Sequence, residues 1–493
     1  MKAGARLGNG TERHMMSAAQ KSKLYEQVAE RICDAITAGT LRAGDRLPSV
    51  RQLSTQERVS ISTVLQAYVH LESLGLVETR PQSGHYVRRR ERPRPAEPQV
   101  SRPATTANPV SVSALVARVY RAASDRRVVQ LGASVPAPEL LPTQRLGREL
   151  ALLSREASDL AVEYDMPPGC LELRRQIARR SLEWGCALGP DDFITTCGAS
   201  EAVYLSLRAV AKTGDTIAIE SPAYYGTLQA IESLGLRALE IPSHPRHGME
   251  LEALEAALDK RRVAAVLSVP SFSNPLGSCM PEEHRRRLVA LLTERDIPLI
   301  EDDIYGDLYF GPERPRTCKA FDKEGLVLLC GSFSKTLAPG YRVGWVAPGR
   351  YRERVELLKF AQTVATPTLP QLAIARFLQS GGYDRHLRTL RRHLSAQLER
   401  TTEAIAEHFP EGTCVTRPTG SSLLWVELPT TVDALKLHER ALEAGISIAP
   451  GPIFSAQPQR YSHFIRMSCS QPWSPRIEAA VATLGSLARN LLT

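Results

Sequence analysis

The sequence predicts an α/β protein in two parts, a small helical domain with a β-hairpin and a large domain with a mainly parallel central sheet. In the first 75 residues, apolar side chains recur at helical spacing, and two short alternating runs follow them. From residue 193 onward, apolar β-rich runs alternate with helical stretches, as in sheets of parallel strands joined by helices. The 493 residues, 43% of them hydrophobic, can build more than one buried core.

The small domain is predicted to contain three helices and a hairpin. Apolar spacing places the first helix between Tyr25 and Ile36. Ser49, three residues before Gln52, is a candidate N-cap of a short second helix. The third helix starts near Ser60 and stops near Gly75. The hairpin strands are predicted at 76–80 and 85–87.

This order of elements resembles the GntR-type winged helix-turn-helix, whose third helix enters the major groove of DNA. The matching segments are 44–51, 59–64 and 80–84. Ile61 departs from the family pattern, which often has arginine there, and an apolar contact to a thymine methyl is one replacement. A three-helix protein-binding module is the alternative. The resemblance implies DNA contacts by Arg46, Ser49, Arg51, Ser60, Ser62, Thr63, Gln66, Arg80, Ser83 and Gly84.

Charge is concentrated at the same end of the chain. Residues 1–100 carry 16 Lys+Arg and 10 Asp+Glu, so they hold six of the nine net positive charges. This asymmetry favours a polyanionic partner, double-stranded DNA, although a solvated basic linker also explains part of it.

Composition sets the domain boundaries. We expect a flexible N-terminus at 1–20, the DNA-binding domain at 21–88, a linker at 89–128 and the large domain at 129–493. The linker is rich in Arg, Pro, Ala, Ser and Thr, and its prolines predict an extended segment. The DNA-binding domain therefore need not pack on its own chain, and a partner subunit is within reach.

A serine-flanked lysine is the strongest chemical signal. Ser332, Ser334 and Lys335 precede Pro339, Gly340 and Arg342. A lysine amine forms a Schiff base with the aldehyde of pyridoxal phosphate, while hydroxyls and a guanidinium bind the phosphate oxygens. The spacing predicts a pyridoxal-phosphate site.

These residues and the order of the motifs around them resemble a fold-type I aminotransferase domain with a smaller C-terminal subdomain. The resemblance implies that the helix start at Gly198, Ala199 and Ser200 receives the phosphate. It implies that Tyr224 stacks on the pyridine ring, with Tyr225 as the competing candidate.

Further positions follow from the same resemblance. Asn274 and Tyr305 match the residues that bind the ring phenol oxygen. Asp302, with Asp303 as the fallback, matches the carboxylate that keeps the pyridine nitrogen protonated. Tyr164 matches a tyrosine that reaches the phosphate of a neighbouring subunit, which implies a homodimer. Arg466 matches the arginine that binds the α-carboxylate of a substrate or effector, and a surface arginine on an edge strand is the alternative.

A GntR-type domain joined to an aminotransferase-like domain is the arrangement of the MocR/GabR-type family of transcriptional regulators. Membership implies a regulator that senses an amine, an amino acid or pyridoxal phosphate, in dimers that exchange DNA-binding domains. The alternatives are an aminotransferase with an accessory DNA-binding domain, and a DNA-binding scaffold with an inactive cofactor pocket.

The composition argues against other classes of protein. The nine cysteines form no Cys-x-x-Cys pair and no cluster with histidine, so we expect neither a metal site nor a disulfide framework. No uncharged apolar run reaches eighteen residues, which argues against a membrane span. We expect a cytoplasmic protein.

Overall fold

The computed structural model describes residues 23–492 except 39, 42–43, 82, 89–93, 124–126 and 458, and only the backbone of 121–123. It divides the chain into two compact units, residues 1–93 and 94–493. The predicted flexible N-terminus at 1–20 lies outside the described residues.

The small unit has the predicted winged helix-turn-helix elements. Val28 and Ile32 of the first helix and Val64 and Leu71 of the third are buried in its core, because their 3–4-residue spacing places them on one face of each helix. The Tyr68 hydroxyl donates a hydrogen bond to the Pro48 carbonyl oxygen at 2.6 Å and fixes the approach to the second helix. The elements are α1 (Leu24–Thr37), α2 (Val50–Glu57), α3 (Ile61–Ser73), β1 (Val77–Arg80) and β2 (Gly84–Val87).

The large unit is built around a nine-stranded, mainly parallel sheet, as the βα alternation predicted. Its strands are β3 (Asn108–Pro109), β5 (Ile194–Thr196), β6 (Thr216–Ser221), β7 (Arg237–His244), β8 (Gly248–Met249), β9 (Ala265–Ser268), β10 (Leu299–Asp302), β11 (Val327–Ser332) and β12 (Gly344–Ala347). The strand order is β3-β7-β6-β9-β10-β11-β12-β5, with β8 paired to β7. Strands β7, β6, β9, β10 and β11 are parallel neighbours, so their carboxyl ends meet at one edge.

A second, four-stranded sheet forms the predicted C-terminal subdomain. Its strands, in the order β13-β14-β17-β16, are β13 (Cys414–Val415), β14 (Leu423–Glu427), β16 (Ala449–Pro450) and β17 (Phe464–Ser468). The two remaining strands, β4 (Val129–Gln130) and β15 (Ile446–Ser447), pair with each other in parallel. We call the part built on the nine-stranded sheet the central lobe and the part built on the four-stranded sheet the C-terminal lobe.

Helices cover both sheets. They are α4 (Ser113–Ala123), α5 (Thr143–Glu156), α6 (Leu171–Ser181), α7 (Ala199–Val210), α8 (Tyr225–Ser233), α9 (Leu251–Lys260), α10 (Glu282–Glu294), α11 (Arg352–Thr363), α12 (Thr368–Gln379), α13 (Gly382–His408), α14 (Ala434–Glu443) and α15 (Pro475–Arg489). None of the described helices combines the length and the apolar character that a bilayer-spanning segment needs.

The segment predicted as a linker, residues 89–128, differs from that prediction over residues 94–123. This part packs on the large unit, pairs β3 with β7 and forms α4. Val110, Val112, Val116 and Val119 are buried there. Four valines bury enough apolar surface to dock the segment although its overall composition is that of an extended linker.

Candidate functional site

Lys335 lies in the turn that follows β11. The main chain of this turn is fixed by Ser332, whose hydroxyl accepts a hydrogen bond from the Ser334 amide at 2.9 Å and donates one to the Ser334 hydroxyl at 2.7 Å. Phe333 and Leu337 are buried on either side of Lys335. The lysine Nζ donates a hydrogen bond to the Ser134 carbonyl oxygen. Burial, reinforced by the Arg466 guanidinium, lowers the pKa of Lys335 to about 8, so its amine is more readily neutral than an exposed lysine.

The structure distinguishes the two adjacent aspartates after β10. Asp302 is buried, and one of its oxygens accepts a hydrogen bond from the Ile304 amide at 3.2 Å. Burial raises the pKa of Asp302 to about 7, and the nearby Lys335 opposes that rise. Asp303 instead pairs with the buried Arg314, which also binds Asp307 at 2.8 Å. Asp302 therefore remains the candidate for the pyridine nitrogen, and Asp303 has a different partner.

A chain of hydrogen bonds joins the two lobes. Asn274 donates from Nδ2 to the Tyr305 hydroxyl at 3.2 Å, and its Oδ1 accepts from Arg466 Nη1 at 3.0 Å. The Tyr305 hydroxyl also lies 3.0 Å from the Ser134 hydroxyl. Tyr305 and Asn274 belong to the central lobe, whereas Arg466 lies on β17 of the C-terminal lobe.

Arg466 is fully buried at 0% exposure, on a strand that lies between β14 and β16. This excludes the alternative of a surface arginine on an edge strand. A second nitrogen, Nη2, donates to the Gly132 carbonyl oxygen, and within the described residues Nε has no hydrogen-bond partner. A buried guanidinium with an unused N–H is suited to binding a ligand carboxylate.

The predicted phosphate residues also come together. Gly198, at φ +84°, precedes α7, so the amides of Ala199 and Ser200 open a helix of twelve residues. Arg342 donates to the Cys197 carbonyl oxygen at 2.9 Å. A Cβ added at Gly198 would lie 2.5 Å from an Arg342 nitrogen, so only glycine leaves room for this approach. Ser332 pairs with Gly344 across β11 and β12, and Gly344 packs on Gly198.

A buried ion pair between Glu201 and Lys359 stabilises the start of α7, beside the predicted phosphate residues. Glu201 of α7 accepts from the Cys197 amide at 2.6 Å and from Lys359 Nζ at 2.8 Å, and both side chains are buried. This pair holds the start of α7 against α11.

Three tyrosines line the remaining side of the site. The Tyr224 ring folds over Gly226, and burial raises the pKa of Tyr224, with Tyr120 and Tyr305 close enough to contribute. Tyr225 is buried, its ring centroid lies 5.8 Å from the Arg466 guanidinium carbon, and its hydroxyl is in short contact with that of Tyr120. Both Tyr224 and the competing Tyr225 therefore lie near the site, and the Tyr225 ring lies beside Arg466.

Tyr164 is the one predicted cofactor residue that lies apart. Its side chain is 77% exposed. Its predicted role requires a second subunit and stays a prediction.

Several site residues were missed by the sequence reasoning. Gly132 and Ser134 act largely through main-chain carbonyl oxygens, which leave no signature in a sequence. Tyr120 lies within the predicted linker, and the Glu201–Lys359 pair joins residues 158 positions apart. The regular spacing of Val112, Val116 and Val119 is the signal that could have revealed the helix carrying Tyr120.

In the small unit, several predicted DNA-binding residues have structural partners. The hydroxyl groups of Ser49 and Ser60 cap α2 and α3 by accepting from the Gln52 and Thr63 amides. The Ser60 hydroxyl also lies 2.8 Å from those of Ser62 and Thr63.

In the wing, the guanidinium of Arg80 stacks on Tyr86 at 4.3 Å, and the Ser83 hydroxyl lies 2.7 Å from that of Tyr86. Arg46 packs against Gly84, where an added Cβ would lie 3.4 Å from Arg46 Nε. Arg51 and the α3 side chains Ser62 and Gln66 are exposed. This exposed face leaves the first two turns of α3 accessible to a groove.

Comparison with known proteins agrees with both parts. Residues 24–87 match the family of bacterial regulatory proteins of the gntR type, and residues 128–484 match aminotransferase class I and II. The HTH-type transcriptional regulators YdcR and YjiR of Escherichia coli (strain K12) are 40% and 39% identical, covering 95% and 94% of this chain and 100% and 98% of their own lengths. The chain belongs to the MocR-type family of GntR–aminotransferase regulators. This confirms the predicted class, a pyridoxal-phosphate-dependent DNA-binding regulator.

Solved structures support the fold of the large unit. Pyrococcus horikoshii kynurenine aminotransferase superposes with a TM-score of 0.72 at 28% identity, covering 78% of this chain and 96% of its own. LysN, the α-aminoadipate aminotransferase of Thermus thermophilus, gives 0.70 at 28%, covering 78% and 99%. The LysN structure contains N-(5′-phosphopyridoxyl)-L-leucine. The fold-type I fold and the pyridoxal phosphate cofactor are both confirmed.

Proposed function

We propose that this family member senses an amine, an amino acid or pyridoxal phosphate itself at the Lys335–Arg466 site and adjusts its binding to an operator accordingly. The observation that carries the proposal is the buried path from Lys335 through Ser134, Tyr305 and Asn274 to Arg466. This path supports the proposal because it links the Lys335 amine to the Arg466 guanidinium, a group suited to binding a carboxylate, in a chain that also has a GntR-type unit.

The residues fit the cofactor by their chemistry. When bound, pyridoxal phosphate supplies an electrophilic carbon and an electron-withdrawing ring. The Arg342 guanidinium, the Ser332 and Ser334 hydroxyls and the amino end of α7 would hold its phosphate. The Asp302 carboxylate would hold a proton at the pyridine nitrogen, and a positive charge there would lower its raised pKa.

Three further side chains orient the bound molecules. The Tyr305 hydroxyl and the Asn274 amide would donate to the ring phenol oxygen, and Tyr224 would cover one ring face. Arg466 would bind the ligand carboxylate through N–H groups that include its unpaired Nε. The Lys335 amine, with its pKa near 8, can accept and return a proton at the ligand carbon beside the amine.

We further propose that the protein is a cytoplasmic homodimer whose DNA-binding units are exchanged between subunits. Support comes from an exposed apolar segment around Tyr164, in which Leu160, Val162 and Met166 are 47%, 86% and 45% exposed. Exposed apolar clusters of this kind mark protein interfaces. Sedimentation as a monomer at micromolar concentration would contradict this proposal.

Binding to the DNA upstream of the protein's own gene tests the regulatory function. Fluorescence anisotropy is measured with cofactor-free and cofactor-loaded protein, a panel of amino compounds and a random-sequence duplex. We expect specific binding that one compound or the cofactor shifts by roughly 5- to 150-fold, the usual range of coupling between sites. Binding no tighter than to random DNA under every condition would contradict a regulator.

Transamination is a second candidate, favoured by the hydrogen-bonded and buried cluster of Asp302, Tyr305, Asn274 and Arg466 next to Lys335. We expect slow half-reactions with amino acids, which cofactor absorbance will report. Sustained turnover with an amino acid and a 2-oxo acid, without ligand-dependent DNA binding, would favour the enzyme. No cofactor absorbance after reconstitution would instead favour a scaffold with an inactive pocket.

A further inference from the structure

Residues 94–113, which we call the strap, follow directly on the small unit and lie across both lobes of the large one. The first contacts are with the C-terminal lobe. The Val415 amide donates to the Ala96 carbonyl oxygen at 2.7 Å, and Arg417 donates to the Pro95 carbonyl oxygen at 3.1 Å. These bonds use main-chain oxygens of the strap, so they hold the path of the chain rather than one side chain.

The middle of the strap is fixed to the central lobe at Ser101. The Ser101 hydroxyl donates to the Ser221 carbonyl oxygen at 2.5 Å and accepts from the Ser243 amide at 2.9 Å. Its own amide donates to the Ser243 carbonyl oxygen at 3.3 Å. Ser221 ends β6 and lies three residues before Tyr224, so this anchor is next to the segment that covers the cofactor ring.

The next residue of the strap turns back toward the C-terminal part of the chain. Arg460 donates to the Arg102 carbonyl oxygen at 2.7 Å. Tyr461 beside it approaches the Ser221 hydroxyl at 2.8 Å. The two lobes and the strap therefore meet around Ser221.

The end of the strap is anchored to α8, the helix that begins immediately after Tyr224. The Glu232 carboxylate accepts from the Val112 amide, the Ser113 amide and the Ser113 hydroxyl, each at 2.9 Å. Glu232 thus receives the N–H groups at the start of α4, the helix that brings Tyr120 to Tyr225. The Ser101 anchor on Ser221 is therefore close in sequence to Tyr224, and the Glu232 anchor holds the far end of the helix that begins at Tyr225.

A carboxylate-bearing ligand at the proposed site would contact both lobes, because Lys335 follows β11 and Arg466 lies on β17. Any change in the spacing of the lobes must stretch or release the hydrogen bonds of a segment that is bound to both. We propose that the strap, through its anchors at Ala96, Ser101 and Glu232, passes ligand-driven movement of the two lobes to the chain that enters the DNA-binding unit. This inference rests on the proposed function and names its route of regulation.

The Ser101→Val variant tests the route, because valine replaces the serine hydroxyl with a methyl group and adds only one further methyl group. Thr105→Val, at an exposed position of the same strap, is the matched control. Glu232→Gln, which weakens the other anchor without removing its side chain, is the second variant. The probes are pyridoxal phosphate and N-(5′-phosphopyridoxyl)-L-leucine, each added to the full-length cofactor-free protein.

Two quantities are measured, the ratio of operator affinities with and without each probe, and hydrogen exchange of peptides covering 94–113. In the unaltered protein we expect N-(5′-phosphopyridoxyl)-L-leucine, whose carboxylate would reach Arg466, to give a ratio of at least about fivefold and to change strap exchange. Pyridoxal phosphate, which lacks that carboxylate, should give a smaller ratio. Ser101→Val is expected to bring the ratio below about twofold and to speed strap exchange, with probe affinity retained. Thr105→Val should behave as the unaltered protein does.

The outcomes separate this inference from the proposed function. An unchanged affinity ratio in Ser101→Val and Glu232→Gln, despite faster strap exchange, overturns the strap as the route while the regulator stands. If the unaltered protein shows no probe-dependent ratio, the proposed function fails. In that case hydrogen exchange of the strap still tests whether the strap responds to the ligand. Exchange rates that neither probe alters would overturn that response, and a clear change in the rates would support it.

Discussion

Replacing Arg466 by lysine should weaken the binding of amino acids and spare that of amines without a carboxylate. Lysine keeps the positive charge but loses the planar fork, so at least one of two charge-assisted hydrogen bonds to a carboxylate disappears. One such bond contributes about 1.5–3 kcal/mol, which corresponds to roughly a 10- to 150-fold weaker affinity. The charge at the buried position is preserved, so the fold should persist more readily than in an alanine variant, which would leave Asn274 Oδ1 and the Gly132 carbonyl without a donor.

The assay is a titration of the cofactor-loaded variant followed by cofactor absorbance. Each amino acid is paired with the amine that lacks only its carboxylate, which makes every pair its own control. Equal losses for both members of a pair would refute the reasoning, because the effect would then be a general disturbance of the site. Unchanged amino acid affinity would remove Arg466 from the carboxylate site altogether.

Three other predictions concern cofactor attachment, acid–base balance and DNA. Lys335→Ala should keep its fold by circular dichroism but lose ligand-dependent operator binding, and a normal effector response would contradict this. Burial raises the pKa of Asp302 to about 7, above its unfolded value, so in the cofactor-free protein the native state binds one more proton than the unfolded state between about pH 4 and 7. The free energy of unfolding therefore falls as the pH rises through that window, by up to about 4 kcal/mol. Asp302→Asn should flatten that part of the plot of unfolding free energy against pH, and an unaltered slope would contradict this prediction. Arg51→Ala should weaken binding to every DNA sequence and reduce its salt dependence, whereas changes at Thr63 or Gln66 should alter base preference, so equal effects on specific and random DNA in all three would contradict major-groove docking of α3.

Local patterns predicted most of the architecture because the interactions behind them are local. The capping pair at Ser49 and Gln52, the apolar face of α3 and the apolar strands β6, β9, β10 and β11 depend on neighbours within a few residues. The order of the cofactor motifs was predictable for a related reason. Tyr224, Asn274, Asp302 and Lys335 lie at or after the carboxyl ends of the adjacent parallel strands β6, β9, β10 and β11, and strand ends are marked by the sequence.

The strap could not be predicted in this way. Ala96 and Val415 are 319 positions apart, and Ser101 bonds to residues 120 and 142 positions away. Main-chain groups supply most of these bonds, so the side chains show little of them. A segment rich in proline and arginine is typical of a linker. The only side-chain signal against a linker is the set of valines from Val110 onward, which are buried on the large unit.

The choice between Asp302 and Asp303 shows where local reasoning reaches its limit. Adjacent residues at a strand end point to opposite faces, so one of them must face Lys335 and the other must face away. The sequence does not say that Arg314 lies on the second face. Once Arg314 occupies that face, Asp303 has a buried cation of its own and Asp302 alone is left to face a positive charge in the site.

Because the site is divided between the two lobes, ligands should differ in how strongly they change the spacing of the lobes. At the proposed site a simple amine, or the cofactor alone, would engage Lys335, Asp302 and the phosphate residues, all of which belong to the central lobe. An amino acid would also engage Arg466 on the C-terminal lobe. A ligand shifts a conformational equilibrium only by the difference in its affinity for the two states, so a compound held by one lobe has little reason to favour one spacing of the lobes. Carboxylate-bearing ligands are therefore the class expected to change operator binding most, and the matched amines should bind with a much smaller effect on DNA.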